Sequence, residues 1–262
     1  MRGIVAALAL AVTTTAVAGA PAQGQALPTI VLVHGAFADA TSWDGVAALL
    51  RHRGYHVVTP DNPLRGPAKD AAAIQRTLDT LSGPVVLVGH SYGGFVISNV
   101  HDPKVESLVY VAAFAPAQGE VAQSALDPIR FPGSQLLPPT LQAAIVDDAE
   151  GLAGKNIDGY IAPDRFDAVF AQDVDSATAA QMIAHQRSIA LAANIEPSGP
   201  TSWSSTPSWY LVSGADHVIP PASQRFMAQR MGARTAEINS SHASLVSRPE
   251  DVTAVIESAV FR

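Results

Sequence analysis

The segment Gly89–His90–Ser91–Tyr92–Gly93 constrains this chain more than any other, because of what lies on either side of it. Before it runs Pro84–Val85–Val86–Leu87–Val88, a continuous apolar stretch that suits a strand covered on both faces, as in a parallel sheet. After it comes Phe95–Val96–Ile97–Ser98–Asn99–Val100, which can continue as a helix. G-x-S-x-G between a buried strand and a helix predicts a serine on a sharp turn. Its hydroxyl is then exposed at the carboxyl end of a sheet, with a backbone N–H beside it. The flanking positions must be small because strand and helix approach each other closely there.

The rest of the chain repeats the strand–helix alternation. Ile30–Val33 reads as a short buried strand ending at His34–Gly35, and Trp43, Val46, Ala47 and Leu50 form one helix face that Gly54 stops. Tyr55–Thr59 is a second strand; Ala71, Ile74, Leu78 and Leu81 mark a second helix, closed by Ser82–Gly83. Strands follow at Leu108–Val111, Trp209–Val212 and Thr235–Ile238, with a helix from Pro220 to Met231. Ser247-x-x-Glu250 has the form of a capping box opening a last helix with Val252, Val255, Ile256 and Ala259 on its buried face. The expectation is an α/β fold, a doubly wound and mostly parallel sheet of about six strands.

Residues 117–206 do not fit this alternation. They are rich in Pro, Asp, Ala and Gln, with helical pieces expected at Pro138–Val146, Arg165–Phe170 and Ala177–Ala193. An insertion after the strand that follows the serine helix sits over the carboxyl ends of the strands, where ligands bind in open α/β sheets. It is read as a helical cap lining a substrate pocket.

Met1–Arg2, the apolar run Ile4–Ala18 and the small-x-small site Ala20–Pro21–Ala22 have the three parts of a secretory signal peptide over residues 1–22. Residues 23–262 then form the mature globular protein, expected to be secreted or periplasmic and free of the membrane after cleavage. A net charge of −7 with no long basic run argues against nucleic acid and anionic membrane surfaces as partners. The absence of cysteine excludes thiol catalysis, disulfides and thiolate metal sites.

A serine hydroxyl is a poor nucleophile unless a base takes its proton. Of the eight histidines, His242 is the candidate base: it follows the last strand in the polar loop Ser240–Ser241–His242–Ala243. The base needs a carboxylate to hold its tautomer and stabilise its cation. Asp216 follows the strand Tyr210–Val212 in Ser213–Gly214–Ala215–Asp216, and the order Ser91, Asp216, His242 completes a nucleophile–acid–base pattern. The rival acid is Glu120, since Phe114–Ala115–Pro116 offers none earlier. His34 is expected to shape the loop after the first strand, His90 to point away from the site, and His185 to pack within the cap. His52, His56 and His101 are expected to be solvated or structural. Oxyanion donors are expected from the backbone N–H of Tyr92 and, in the loop after the first strand, from Ala36 with Phe37 as second choice. No metal-ligand spacing such as H-E-x-x-H occurs, and no cofactor is expected.

Taken together, H-G-A-F at position 34, G-H-S-Y-G-G at position 89, Gly214–Ala215–Asp216 with Ile219–Pro220, and the late Ser241–His242 resemble an α/β-hydrolase over essentially the whole mature chain. Within that superfamily the chain is similar to the branch containing plant methyl esterases and hydroxynitrile lyases, and to related bacterial hydrolases. The resemblance implies hydrolysis of a small, largely apolar carboxylic ester through an acyl-enzyme. The lyases carry threonine where this chain has Gly35 and lysine where it has Ala243; both departures count against cyanohydrin cleavage. Open alternatives on the same scaffold are a thioesterase, lactonase or amidase, a cofactor-free oxygenase or perhydrolase, and a receptor that keeps the triad without turning over.

Overall fold

The computed structural model describes residues 27–261, so the expected signal peptide lies outside the described residues. Strand and helix alternate from β1 (Thr29–Val33) through α1 (Asp44–His52), β2 (Val57–Val58), α2 (Pro67–Asp79), β3 (Val85–His90) and α3 (Tyr92–Ser98) to β4 (Val105–Val111). An insertion then holds α4 (Ala122–Ala125), β5 (Leu141–Leu152), β6 (Lys155–Ile161), α5 (Phe166–Phe170), α6 (Ser176–Ala184) and β7 (Ile189–Ala190). The alternation resumes with β8 (Ser208–Ser213), α7 (Pro221–Arg230), β9 (Arg234–Ile238), α8 (Ser244–Ser247) and α9 (Pro249–Val260).

Six strands pair in the order β2-β1-β3-β4-β8-β9, all parallel. Apart from the exposed edge strand β9, their apolar runs are buried on both faces, and the period-2 alternation of side chains divides them between two cores. Ile30, Leu32, Val86, Val88, Val109 and Val111 pack with Val46 and Leu50 of α1 and Val252 and Ile256 of α9. Val31, Val33, Leu87, Leu108 and Tyr110 pack on the other face with Ile74 and Leu78 of α2, Phe95 and Val96 of α3, and Met227 of α7. The chain leaves β1 for β2 on one side and returns to place β3 on the other. The crevice beyond β1 and β3 is therefore the switch point at which such sheets bind ligands.

The insertion lies where expected but differs in kind over part of its length. Pro138–Val146 is not helical; it enters β5, which pairs antiparallel with β6, and β6 pairs antiparallel with β7. A two-residue turn, Ala153–Gly154, joins β5 to β6 with φ of 53° and 75°, the left-handed geometry that matches hairpin twist. The helical stretch expected at Ala177–Ala193 ends early: α6 stops at Ala184 and the chain goes on to β7. The capping box is also absent. Ser247 ends α8 and donates its hydroxyl to Asp173, while α9 begins at Pro249, whose fixed φ suits the first helical position.

Candidate active site

Ser91 occupies the turn between β3 and α3 with φ 52° and ψ −123°, a strained conformation for a residue with a Cβ. The turn is tied to the neighbouring strand, since Ser91 N–H donates to Val111 O at 3.2 Å and Phe114 N–H to Ser91 O at 3.0 Å. The glycines around it permit the close approach. A Cβ on Gly89 would lie 2.5 Å from Gly93 O, and one on Gly93 would lie 2.4 Å from Val33 O.

His242 follows β9 and Asp216 follows β8, neighbouring strands of the sheet. His242 Nε2 is 2.8 Å from Ser91 Oγ, and His242 Nδ1 is 2.7 Å from Asp216 Oδ2. The carboxylate can only accept, so the proton sits on Nδ1 and Nε2 is left to accept from the serine hydroxyl. Asp216 is itself fixed by other donors. Its Oδ1 accepts from Val218 N–H at 2.7 Å and Ile219 N–H at 2.9 Å, and its Oδ2 accepts from Gln224 Nε2 at 2.7 Å. All three residues of the line are buried, His242 fully. Glu120 is elsewhere, paired with Arg230 and accepting from Ala117 N–H.

The cap braces the histidine loop. Phe170 sets its ring edge-on to His242 at 4.8 Å and accepts from Ala243 N–H at 3.1 Å. Asp173 accepts from Ser241 N–H at 3.0 Å. His90 supports the same loop from below. Its ring lies 4.8 Å from that of His242, and its Nε2–H donates to the carbonyl oxygen of His242 at 2.9 Å. Burial, and then the neighbouring His242, hold His90 well below the usual histidine range, so it stays neutral. Its side chain thus turns from the cavity toward His242 rather than simply away. Sequence reasoning missed this link and the one from Gln224: His90 sits at a variable position of the G-x-S-x-G pattern and Gln224 in none, so neither partner is announced locally.

Ala36, Phe37, Ser91 and Tyr92 line one cavity of about 170 Å³ together with residues such as Leu126, Leu141, Ile189 and Val218. No side chain in its wall carries a formal charge. Tyr92 N–H belongs to the first turn of α3, where helical geometry supplies no partner. Ala36 N–H has no acceptor among the described residues, whereas Phe37 N–H donates to Arg187 O at 3.0 Å and is therefore taken. The Gly35–Ala36 peptide is held from its other end: His34 Nδ1–H donates to Gly35 O at 2.9 Å, and His34 Nε2 accepts from Asn62 N–H at 3.0 Å. Burial lowers His34 below the usual histidine range, which keeps the neutral tautomer that this pair of bonds requires. Among the other histidines, the exposed His185 pairs with Asp39 at 2.9 Å and the half-buried His217 bonds Ala168 O at 2.9 Å.

Known proteins share this build. A carbendazim hydrolyzing esterase from Nocardioides sp. (strain SG-4G) is 35% identical over 135 residues, 46% of this chain and 53% of that protein; the match spans about half of the relative's length. A pyrethroid hydrolase from Sphingobium wenxiniae is 28% identical over 249 residues, 87% of this chain and 85% of that protein. Among solved structures, polyneuridine aldehyde esterase superposes with a TM-score of 0.76 at 17% identity, covering 88% of this chain and 98% of that one. A methylesterase from Arabidopsis superposes with a TM-score of 0.68 at 17% identity, covering 90% and 99%. The alpha/beta hydrolase family matches residues 30–255, and the chain belongs to that family.

Proposed function

We propose that the protein is a serine hydrolase that cleaves a small, uncharged carboxylic ester through an acyl-enzyme, with Ser91 as nucleophile, His242 as base and Asp216 as the acid that orients it. The observation that carries this reading is the hydrogen-bonded line Ser91–His242–Asp216 ending at an uncharged cavity. As the Ser91 Oγ–carbonyl carbon bond forms, His242 Nε2 takes the hydroxyl proton and Asp216 stabilises the resulting imidazolium. The carbonyl oxygen becomes an oxyanion, met by the N–H groups of Ala36 and Tyr92. Collapse of the intermediate expels the alcohol, which receives the proton from His242. Water, activated by the same histidine, then releases the acid and restores Ser91.

Hydrolysis is favoured over cyanohydrin cleavage by Gly35, which offers no hydroxyl, and by the buried Ala243, which offers no cation beside the base. The related esterases and pyrethroid hydrolases support ester substrates as a class. Export belongs to the same proposal and rests on the signal-like residues 1–22. The test compares acid release from 4-nitrophenyl acetate with cyanide release from mandelonitrile. Ester turnover without cyanide above the spontaneous rate is expected; cyanide release without esterase activity overturns the reading.

Gly35→Val supplies a second check. A Cβ at this position would lie 2.7 Å from Ser91 Cβ and 2.9 Å from His90 O, so the loop carrying Ala36 must move off the serine. Losing one oxyanion donor costs about 10²–10³ in kcat. A loss of that size is expected on 4-nitrophenyl acetate, measured on protein whose near-ultraviolet circular dichroism matches the parent.

A further inference from the structure

Two cavities flank the loop after β1. The smaller, about 170 Å³, opens on Ser91. The larger, about 360 Å³, lies outside it, between that loop, the start of α1 and the cap helix α6, with Asp39, Thr41, Met182, His185 and Val246 in its walls. Phe37 belongs to the walls of both. It is only 5% exposed and belongs to the hydrophobic core, so its side chain is turned inward where the two cavities adjoin.

The residue is also held in place. Its φ of 62° is a left-handed conformation that an aromatic residue adopts only when its surroundings impose it. Its N–H donates to Arg187 O of the cap at 3.0 Å, and two residues on, Asp39 is tied to His185 at 2.9 Å. The backbone that carries the ring is thus clamped to the segment 185–187 from both sides. Nothing in the chemistry of ester cleavage calls for an aromatic ring one residue past an oxyanion donor. A fixed partition between two adjoining cavities does call for it.

We propose that Phe37 sets the size limit of the substrate. Its ring closes the Ser91 cavity against the outer one and restricts turnover to esters with a short, compact arm. Removing the ring joins the two spaces and admits a longer apolar arm along Met182 and Val246. This inference rests on the serine-hydrolase reading of the site. Phe37→Ala keeps the Cβ, and with it the backbone strain already present, so the change falls on the ring.

The experiment measures kcat/KM for 4-nitrophenyl acetate, butyrate and octanoate with the wild type, Phe37→Ala, Phe37→Leu and Phe37→Trp. Fluorophosphonate labelling of each protein reports an assembled site. The wild type should fall off toward octanoate. Phe37→Ala should raise the octanoate-to-acetate ratio by about tenfold or more, the range by which a pocket distinguishes neighbouring apolar substrates. Phe37→Leu should move the ratio in the same direction, and Phe37→Trp should not raise it. A purely structural role would depress all three esters together and leave the ratio where it was. An unchanged ratio in labelled Phe37→Ala or Phe37→Leu overturns the proposal, as does a wild type that hydrolyses octanoate as well as acetate. A wild type that neither labels nor turns over any ester overturns the serine-hydrolase reading itself, and this inference with it.

Discussion

Ser91→Ala is expected to abolish ester turnover while leaving the melting temperature almost unmoved. The two halves of this expectation have separate physical grounds. In the proposed mechanism the hydroxyl forms the bond to the substrate, so nothing replaces it; removing the serine or the histidine of such a unit costs about 10⁶ in kcat in subtilisin. His242→Ala should match the loss, because neither group works without the other. The fold, by contrast, asks little of Oγ. Among the described residues its one hydrogen-bond partner is His242 Nε2. The strain at φ 52° belongs to the backbone and Cβ, which alanine keeps. Fluorophosphonate should label the wild type and spare the variant. Equal labelling of the two would remove Ser91 from the mechanism.

What the sequence made legible depended on how local the signal was. The elbow is contained in a few residues. Pro84–Val88 suits a strand buried on both faces, and Gly89 and Gly93 allow close approaches that any larger residue would block, since an added Cβ would meet backbone at 2.5 and 2.4 Å. Asp216 and His242 could be found because each follows a recognisable apolar strand, and parallel strands deliver their carboxyl ends to one edge of the sheet. The hydrogen bonds that join the three residues then follow from the strand order β3-β4-β8-β9.

The cap was less legible. More than half of Leu141–Leu152 is Leu, Gln, Ala or Glu, which favour helices when intrinsic preference alone decides. Here pairing decides: β5 is the edge of a sheet whose register with β6 runs from Leu141 opposite Ile161 to Asp147 opposite Lys155. Most of β5 is half-buried or exposed, so it lacks the apolar alternation that marks a strand in sequence. The turn offers Ala153–Gly154 in place of the Asn-Gly or Asp-Gly that would have announced a hairpin. The supporting contacts of the site were hidden for a different reason. His90 to His242 O spans 152 residues and the cap's Phe170 reaches His242 from α5, so only the assembled fold brings these groups together.

Asp216→Asn tests the least exchangeable part of that assembly. Every group facing the carboxylate is a donor: Val218 N–H and Ile219 N–H at Oδ1, Gln224 Nε2 and His242 Nδ1 at Oδ2. An asparagine presents one oxygen and one NH₂, so in either orientation a donor faces donors. The less costly orientation keeps the oxygen on the two backbone N–H groups and turns the NH₂ toward His242. The imidazole must then accept at Nδ1 and carry its proton on Nε2, where it points at Ser91 and cannot take the hydroxyl proton. In the serine-protease triad this wrong tautomer lowers kcat by about 10⁴, and a loss of that order is expected here. Gln224→Leu should cost far less, because it removes one donor from Asp216 Oδ2 and leaves the tautomer of His242 intact. kcat on 4-nitrophenyl acetate separates the two variants. An Asp216→Asn protein that keeps near-native turnover would place the orienting acid elsewhere. Glu120→Gln would then be the next variant to measure, although the Arg230 ion pair that holds Glu120 argues against it.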